Sequence, residues 1–130
     1  MSSLTVRASG PAAAPNVWEA YADPQRWPEW APHLQRVDAV GRLRPGLKGQ
    51  VGFARLPRVS FTVTDVDAKG RRWSWDAAVG PFRVSFDHGV DVKGTGSGAW
   101  LTMHGPLPIL VLYAPFARVS LHRLVRVRID

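Results

Sequence analysis

The sequence predicts an α+β fold: a curved antiparallel sheet of six to seven strands wrapped around a C-terminal helix, with two short helices after the first strand. Three observations predict it. From about residue 34 to residue 105, apolar and polar residues alternate in runs separated by turn signals, as in successive hairpins. Between the first such run and the rest lie two short helical stretches that carry tryptophan. After Gly105-Pro106 the period becomes helical, and only this long segment can cover the sheet's apolar face.

Thr5-Val6-Arg7-Ala8 reads as a first strand, broken by Gly10-Pro11. A helix starts at Ala14, where Pro15 suits the first turn because its missing N–H needs no partner. Val17, Trp18 and Tyr21 share one face of it. Asp23-Pro24 ends this helix and opens a second, short one with Trp27 and Trp30, which Ala31-Pro32 stops. Strands are expected over Leu34–Val40 and Gln50–Arg55, around a turn at Arg44-Pro45-Gly46, with a break at Leu56-Pro57. Val59, Phe61 and Val63 alternate with Ser60, Thr62 and Thr64. Lys69-Gly70 marks a hairpin, after which Arg71, Trp73 and Trp75 share one strand face. Beyond Gly80-Pro81, Val84, Phe86, His88, Val90 and Val92 form an apolar face. Residues 93–98 make a glycine-rich tip, and Ala99, Leu101 and Met103 continue the pattern. In the tail, Leu110, Ala114, Ala117, Leu121 and Leu124 have helical spacing, while Arg118, His122 and Arg126 lie on another face. Pro115 predicts a kink or restart. Residues 125–130 alternate with period two, which fits either a strand or a frayed end.

At 130 residues and 14.3 kDa, the chain fits one domain, residues 1–130, large enough for a real core. Cysteine is absent, which excludes disulfides, thiolate metal sites and cysteine nucleophiles and fits a cytoplasmic home. The first residues lack the apolar run of a signal peptide, and no stretch is apolar enough to span a bilayer. The formal charge of +7 suits an anionic partner, but the basic residues are scattered without a run of three, as on an ordinary solvated surface.

His88 stands out for chemistry, because strand parity puts it on the apolar face, where it suits a general acid or base or a hydrogen-bonded core histidine. Arg55, Arg71 and Arg83 lie on expected strands, either pairing with a ligand anion or resting at the sheet margin. Six tryptophans suit either an aromatic pocket wall or plain core packing, and Trp100, of opposite parity, suits a surface contact. No histidine has a second metal ligand two to four residues away, and Asp87 and His88 point to opposite faces of their strand. No serine sits in a nucleophile elbow, and the glycines at 94, 96 and 98 follow no strand-to-helix turn.

The run from Val17 to Trp30, with Asp23-Pro24 and Trp27-Pro28-Glu29-Trp30 as its specific part, resembles the opening of the polyketide cyclase/dehydrase family of the START-like, helix-grip superfamily. Leu43-Arg44-Pro45-Gly46 looks like that family's turn before its third strand. Phe86-Asp87-His88 with Val90 looks like its long sixth strand, and Gly105-Pro106-Leu107 like the entry to its terminal helix. The resemblance covers nearly the whole chain and implies a helix-grip fold with a cavity between sheet and terminal helix. Pro115 departs from the family, whose terminal helix runs longer and without an internal proline.

On this basis the expected function is binding of a small hydrophobic, polyketide- or lipid-like ligand without a cofactor or a metal. Its expected contacts are Trp30, Phe53, Phe61, Trp73, Trp75, Phe86, His88, Leu101, Met103 and Leu110. The alternative is a cyclase, aromatase or dehydratase with His88 as acid or base, for which only one convergent polar residue is evident. A third reading is an acidic-surface or nucleic-acid binder acting through charge alone, and no nucleic-acid motif supports it. Monomer and homodimer are both compatible with the sequence.

Overall fold

A computed structural model describes residues 2–53 and 56–127 of the chain. It contains strands β1 (Ser2–Gly10), β2 (Arg36–Asp38), β3 (Lys48–Phe53), β4 (Leu56–Asp67), β5 (Arg72–Val79), β6 (Phe82–Lys93) and β7 (Gly96–Gly105). Helices α1 (Ala14–Ala22), α2 (Trp27–Trp30) and α3 (Leu107–Leu124) complete it, with a 3-10 turn at Pro24–Arg26. The strands form one antiparallel sheet in the order β1-β7-β6-β5-β4-β3-β2. Five neighbouring pairs are sequential hairpins, and β1 closes onto β7.

The turns follow from local chemistry. Gly80 and Gly94 take positive φ at the first position of two-residue turns, where a side chain would be strained. Bulges between Val51 and Phe53 and between Val63 and Asp65 each bend the sheet. The resulting curved face carries the buried side chains of β4 to β7, and α3 lies across it closest to β1 and β7, with Leu110, Ala114, Ala117, Leu121 and Leu124 turned inward.

Trp27-Pro28-Glu29-Trp30 has a physical explanation. A helix leaves its last four carbonyls without intrahelical partners. In α1, Glu19 O accepts from Asp23 N, and Ala22 O accepts from Leu43 N at 2.9 Å. The other two are taken by indoles: Trp30 Nε1 donates to Ala20 O at 3.2 Å and Trp27 Nε1 to Tyr21 O at 2.9 Å. Asp23 then caps the next turn by accepting from Gln25 N. The two short helices are thus locked into a corner by the tryptophans that also face the interior.

Several boundaries differ from the sequence reading. The strand expected over Leu34–Val40 is only Arg36–Asp38, because Leu34 N turns back to Ala31 O and Leu34 is buried under α2. Leu56 and Pro57 do not break the chain but open β4, where a proline is tolerated because β5 registers with β4 only from Ser60 onward. Arg71 is not on a strand. It sits at φ 54 in the turn before β5, its carbonyl accepting from Val90 N. Val92 is exposed at the end of β6, and the tip between β6 and β7 is only two residues long. The helix does not restart at Pro115: α3 runs on to Leu124. Val125 and Arg126 form a turn, while residues 128–130, like Arg55, lie outside the described residues.

Candidate functional site

The sheet, the α2 corner and α3 meet around one interior void. The sheet contributes Trp73, Trp75, Phe86, His88 and Leu101. Trp27, Trp30, Ala31 and Leu34 close one side, and Tyr113, Ala117, Ser120 and Leu121 of α3 close the other. The void measures about 30 Å³, whereas small-molecule pockets run from about 300 to 1,000 Å³. Aromatic rings occupy the rest of the gap. The Trp73 ring stacks on His88 at 4.2 Å and 8° and on Trp27 at 5.6 Å. Trp75 stacks on Phe86 at 5.1 Å.

Six of the expected ligand contacts, Trp30, Trp73, Trp75, Phe86, His88 and Leu101, therefore lie around one space. Phe61, Met103 and Leu110 are buried but do not line it: Phe61 packs behind Trp75 and Trp27, and all three belong to the surrounding core. The Phe53 side chain lies outside the described residues. Arg83 is exposed, its strand parity opposite to that of Val84 and Phe86. Trp27, Ala31, Leu34, Tyr113, Ala117, Ser120 and Leu121 also line the void and were not among the expected contacts. For the helix residues a signal was present, since Ala117 and Leu121 lie on the face with helical spacing, and Tyr113 and Ser120 follow Leu110 and Ala117 by three residues.

His88 is 6% exposed and held from two sides. Trp75 Nε1 donates to its Nε2 at 2.9 Å. An indole N–H only donates, so Nε2 holds the lone pair and Nδ1 the proton. Nδ1 faces the hydroxyl of Tyr21 at 3.4 Å. Burial brings the His88 pKa down to about 3, with the charge of Asp87 pulling weakly the other way. Burial also pushes the Tyr21 phenol up, so both groups are neutral at physiological pH. A neutral imidazole whose lone pair is already engaged is a poor base. The arrangement suits a fixed hydrogen-bond acceptor for Trp75.

At the helix side of the void, His33 Nε2 and the Tyr113 hydroxyl lie 2.8 Å apart. Burial lowers the His33 pKa to about 4 and raises that of Tyr113. Phe116 packs on the same imidazole at 5.3 Å. One lining residue carries an unpaired polar atom: Trp73 Nε1 is buried without a hydrogen-bond partner, and Ser97 Oγ is the one other such side-chain atom among the described residues.

The outer sheet face carries a separate polar ladder. Asp87 accepts from Ser74 Oγ at 2.7 Å and pairs with His104 Nε2 at 2.9 Å, while Ser3 Oγ lies 3.1 Å from His104 Nδ1. None of these residues lines the void. Trp100 lies on this face as its parity implies, with the Arg72 guanidinium 5.3 Å from its ring. Among the described residues no cluster of three or more His, Asp or Glu is placed to hold a metal.

A search of curated proteins returns no matching relative. Solved structures share the fold. XoxI from Bacillus cereus superposes with a TM-score of 0.81 at 13% identity, covering 97% of this chain and 94% of that one. CalU16 from Micromonospora echinospora gives 0.71 at 20% identity, covering 95% and 71%. The di-domain ARO/CYC protein BexL of the BE-7585A biosynthetic pathway gives 0.80 at 18% identity, and the match spans 97% of this chain but 46% of BexL. At such identities the likeness is one of fold, the helix-grip arrangement of a curved sheet on a terminal helix. The family model described as "Polyketide cyclase / dehydrase and lipid transport" matches residues 1–127, and the chain belongs to that family.

Proposed function

We propose that the chain binds a small, flat, apolar molecule bearing a hydrogen-bond acceptor, such as a ketone, in the gap between the sheet and α3. The observation that carries this reading is the Trp73 indole N–H, buried and without an acceptor on the protein, on a side chain that lines the void. A buried donor left unpaired costs about 1–3 kcal/mol, which a ligand carbonyl would recover. The aromatic walls suit a planar skeleton. Because the void is about 30 Å³, entry requires lining side chains to move outward, so binding is coupled to local opening. Acid–base catalysis by His88 fits less well, since its lone pair is engaged by Trp75 and its pKa is about 3.

Native mass spectrometry of the freshly purified protein, with extraction of anything bound, gives a first reading of ligand class. Titration with a planar aromatic ketone then tests the mode. Tryptophan fluorescence should quench saturably at one molecule per chain, and Trp73→Phe should weaken binding about fivefold, the loss of one hydrogen bond. Absence of saturable quenching across a panel of planar ketones would sink the reading.

A further inference from the structure

The outward face of α3 does not look like the solvent face of a helix. Five of the eight large hydrophobic side chains exposed among the described residues lie on it: Leu107, Val111, Leu112, Phe116 and Val119, each between 49% and 74% exposed. A helix covering a sheet normally turns charges outward. Here the buried positions are apolar too, so α3 is apolar nearly all round as far as Val119. The exposed stretch is about 18 Å long at 1.5 Å per residue. The last turns then change character: Arg118, His122, Arg123 and Arg126 are exposed, and α3 contains no Asp or Glu.

We propose that this face docks on an anionic lipid bilayer, with Leu112, Phe116 and Val119 set among the acyl chains and Arg118 and Arg126 on the headgroups. Charge complementarity selects this occupant. A bilayer interface presents apolar depth beside anionic phosphate, which matches an apolar stretch flanked by cations. A second copy of the chain does not match. Two antiparallel α3 helices would set the arginines of one against the apolar half of the other, and two parallel helices would set arginine against arginine. In neither case does the facing helix supply an acid. The net charge of +7 adds attraction to any anionic surface. Phe116 touches His33, which bonds Tyr113 in the wall of the void, so the docked face adjoins the side where the void is closed.

The test uses the whole chain without ligand, so it can fail independently of the proposed function. Co-sedimentation is measured with vesicles of phosphatidylcholine alone and of equal parts phosphatidylcholine and phosphatidylglycerol. Binding is expected on the anionic vesicles and not on the neutral ones. The double variant Leu112→Ser/Phe116→Ser keeps every charge, and both sites are exposed, so its circular dichroism should match the parent while vesicle binding is lost. Arg118→Gln and Arg126→Gln should each weaken binding about fivefold. No binding to anionic vesicles, or undiminished binding by the double serine variant, would overturn the proposal. So would a dimer in solution that the double serine variant converts to monomer, because the face would then serve a second copy.

Discussion

An imidazole that takes up a proton only near pH 3 makes folding sensitive to acid well above that value. The unfolded chain protonates His88 near pH 6.5, and the folded chain does so at about 3. Between those values the unfolded state binds more protons, so stability falls as the pH is lowered from about 6.5 and the loss is complete below about 3. His33, partly exposed and lowered to about 4, adds a smaller effect of the same sign. Replacing His88 with Gln keeps an acceptor for the Trp75 N–H but removes the titration. The thermal midpoint of wild type should drop steeply between pH 6.5 and 4, and that of His88→Gln should fall less. Parallel curves would mean that His88 does not stay neutral in the fold. His88→Ala removes the acceptor as well and should destabilise at neutral pH by about 2–4 kcal/mol, read by chemical denaturation. The inward direction of His88 was legible in the sequence, because the alternation of Val84, Phe86 and Val90 sets it. Its hydrogen bonds were not, because Tyr21 is 67 positions away in the chain and Trp75 is 13.

At the scale of elements, two close fits carry consequences. The corner between α1 and α2 depends on indole donors, so Trp27→Phe and Trp30→Phe each leave a helix carbonyl unpaired. Each should destabilise by about 1–3 kcal/mol in denaturant titrations. Trp27 should cost more, since it is 1% exposed and its ring also contacts Phe61, Trp73 and Trp75. Equal and negligible losses would mean that water replaces both indoles. The second fit is on the outer face, where the Trp100 indole lies over Gly89, its partner across the sheet. A Cβ at position 89 would overlap the indole. Gly89→Ala should therefore destabilise the protein, and Trp100→Ala should cost less in the Gly89→Ala background than in wild type, a coupling that a double-mutant cycle reads. The parity of Trp100 was visible in the sequence. Gly89 looked only like the polar side of a strand, because one sequence carries no sign of which ring lies above a glycine.

Across the whole molecule, hairpin order and helix spacing reveal the architecture, since each rests on local periodicity that tertiary contacts only reinforce. How full the interior is depends on volumes summed over several elements, and no local pattern encodes it. Trp73 reads the same in the sequence whether it lines a wide pocket or, as here, stacks between His88 and Trp27. The exposed apolar half of α3 escaped notice for a related reason: helical spacing marks the residues that turn inward without requiring the others to be polar. A filled gap also makes access a property of the whole fold. In the proposed mode a ligand waits for an opening, and the contact between the His33 ring and the Tyr113 hydroxyl at 2.8 Å joins α3 to the segment after α2. Tyr113→Phe removes that bond while keeping the ring in the wall. If opening limits entry, its free energy falls by about 1 kcal/mol and the association rate of a planar ketone should rise about fivefold in stopped-flow fluorescence. The unfolding midpoint should fall by only a few degrees, because the same bond of about 1 kcal/mol is lost on unfolding. An unchanged association rate beside that small drop would place the route elsewhere, and the corner held by Trp27 and Trp30 would be the next segment to loosen.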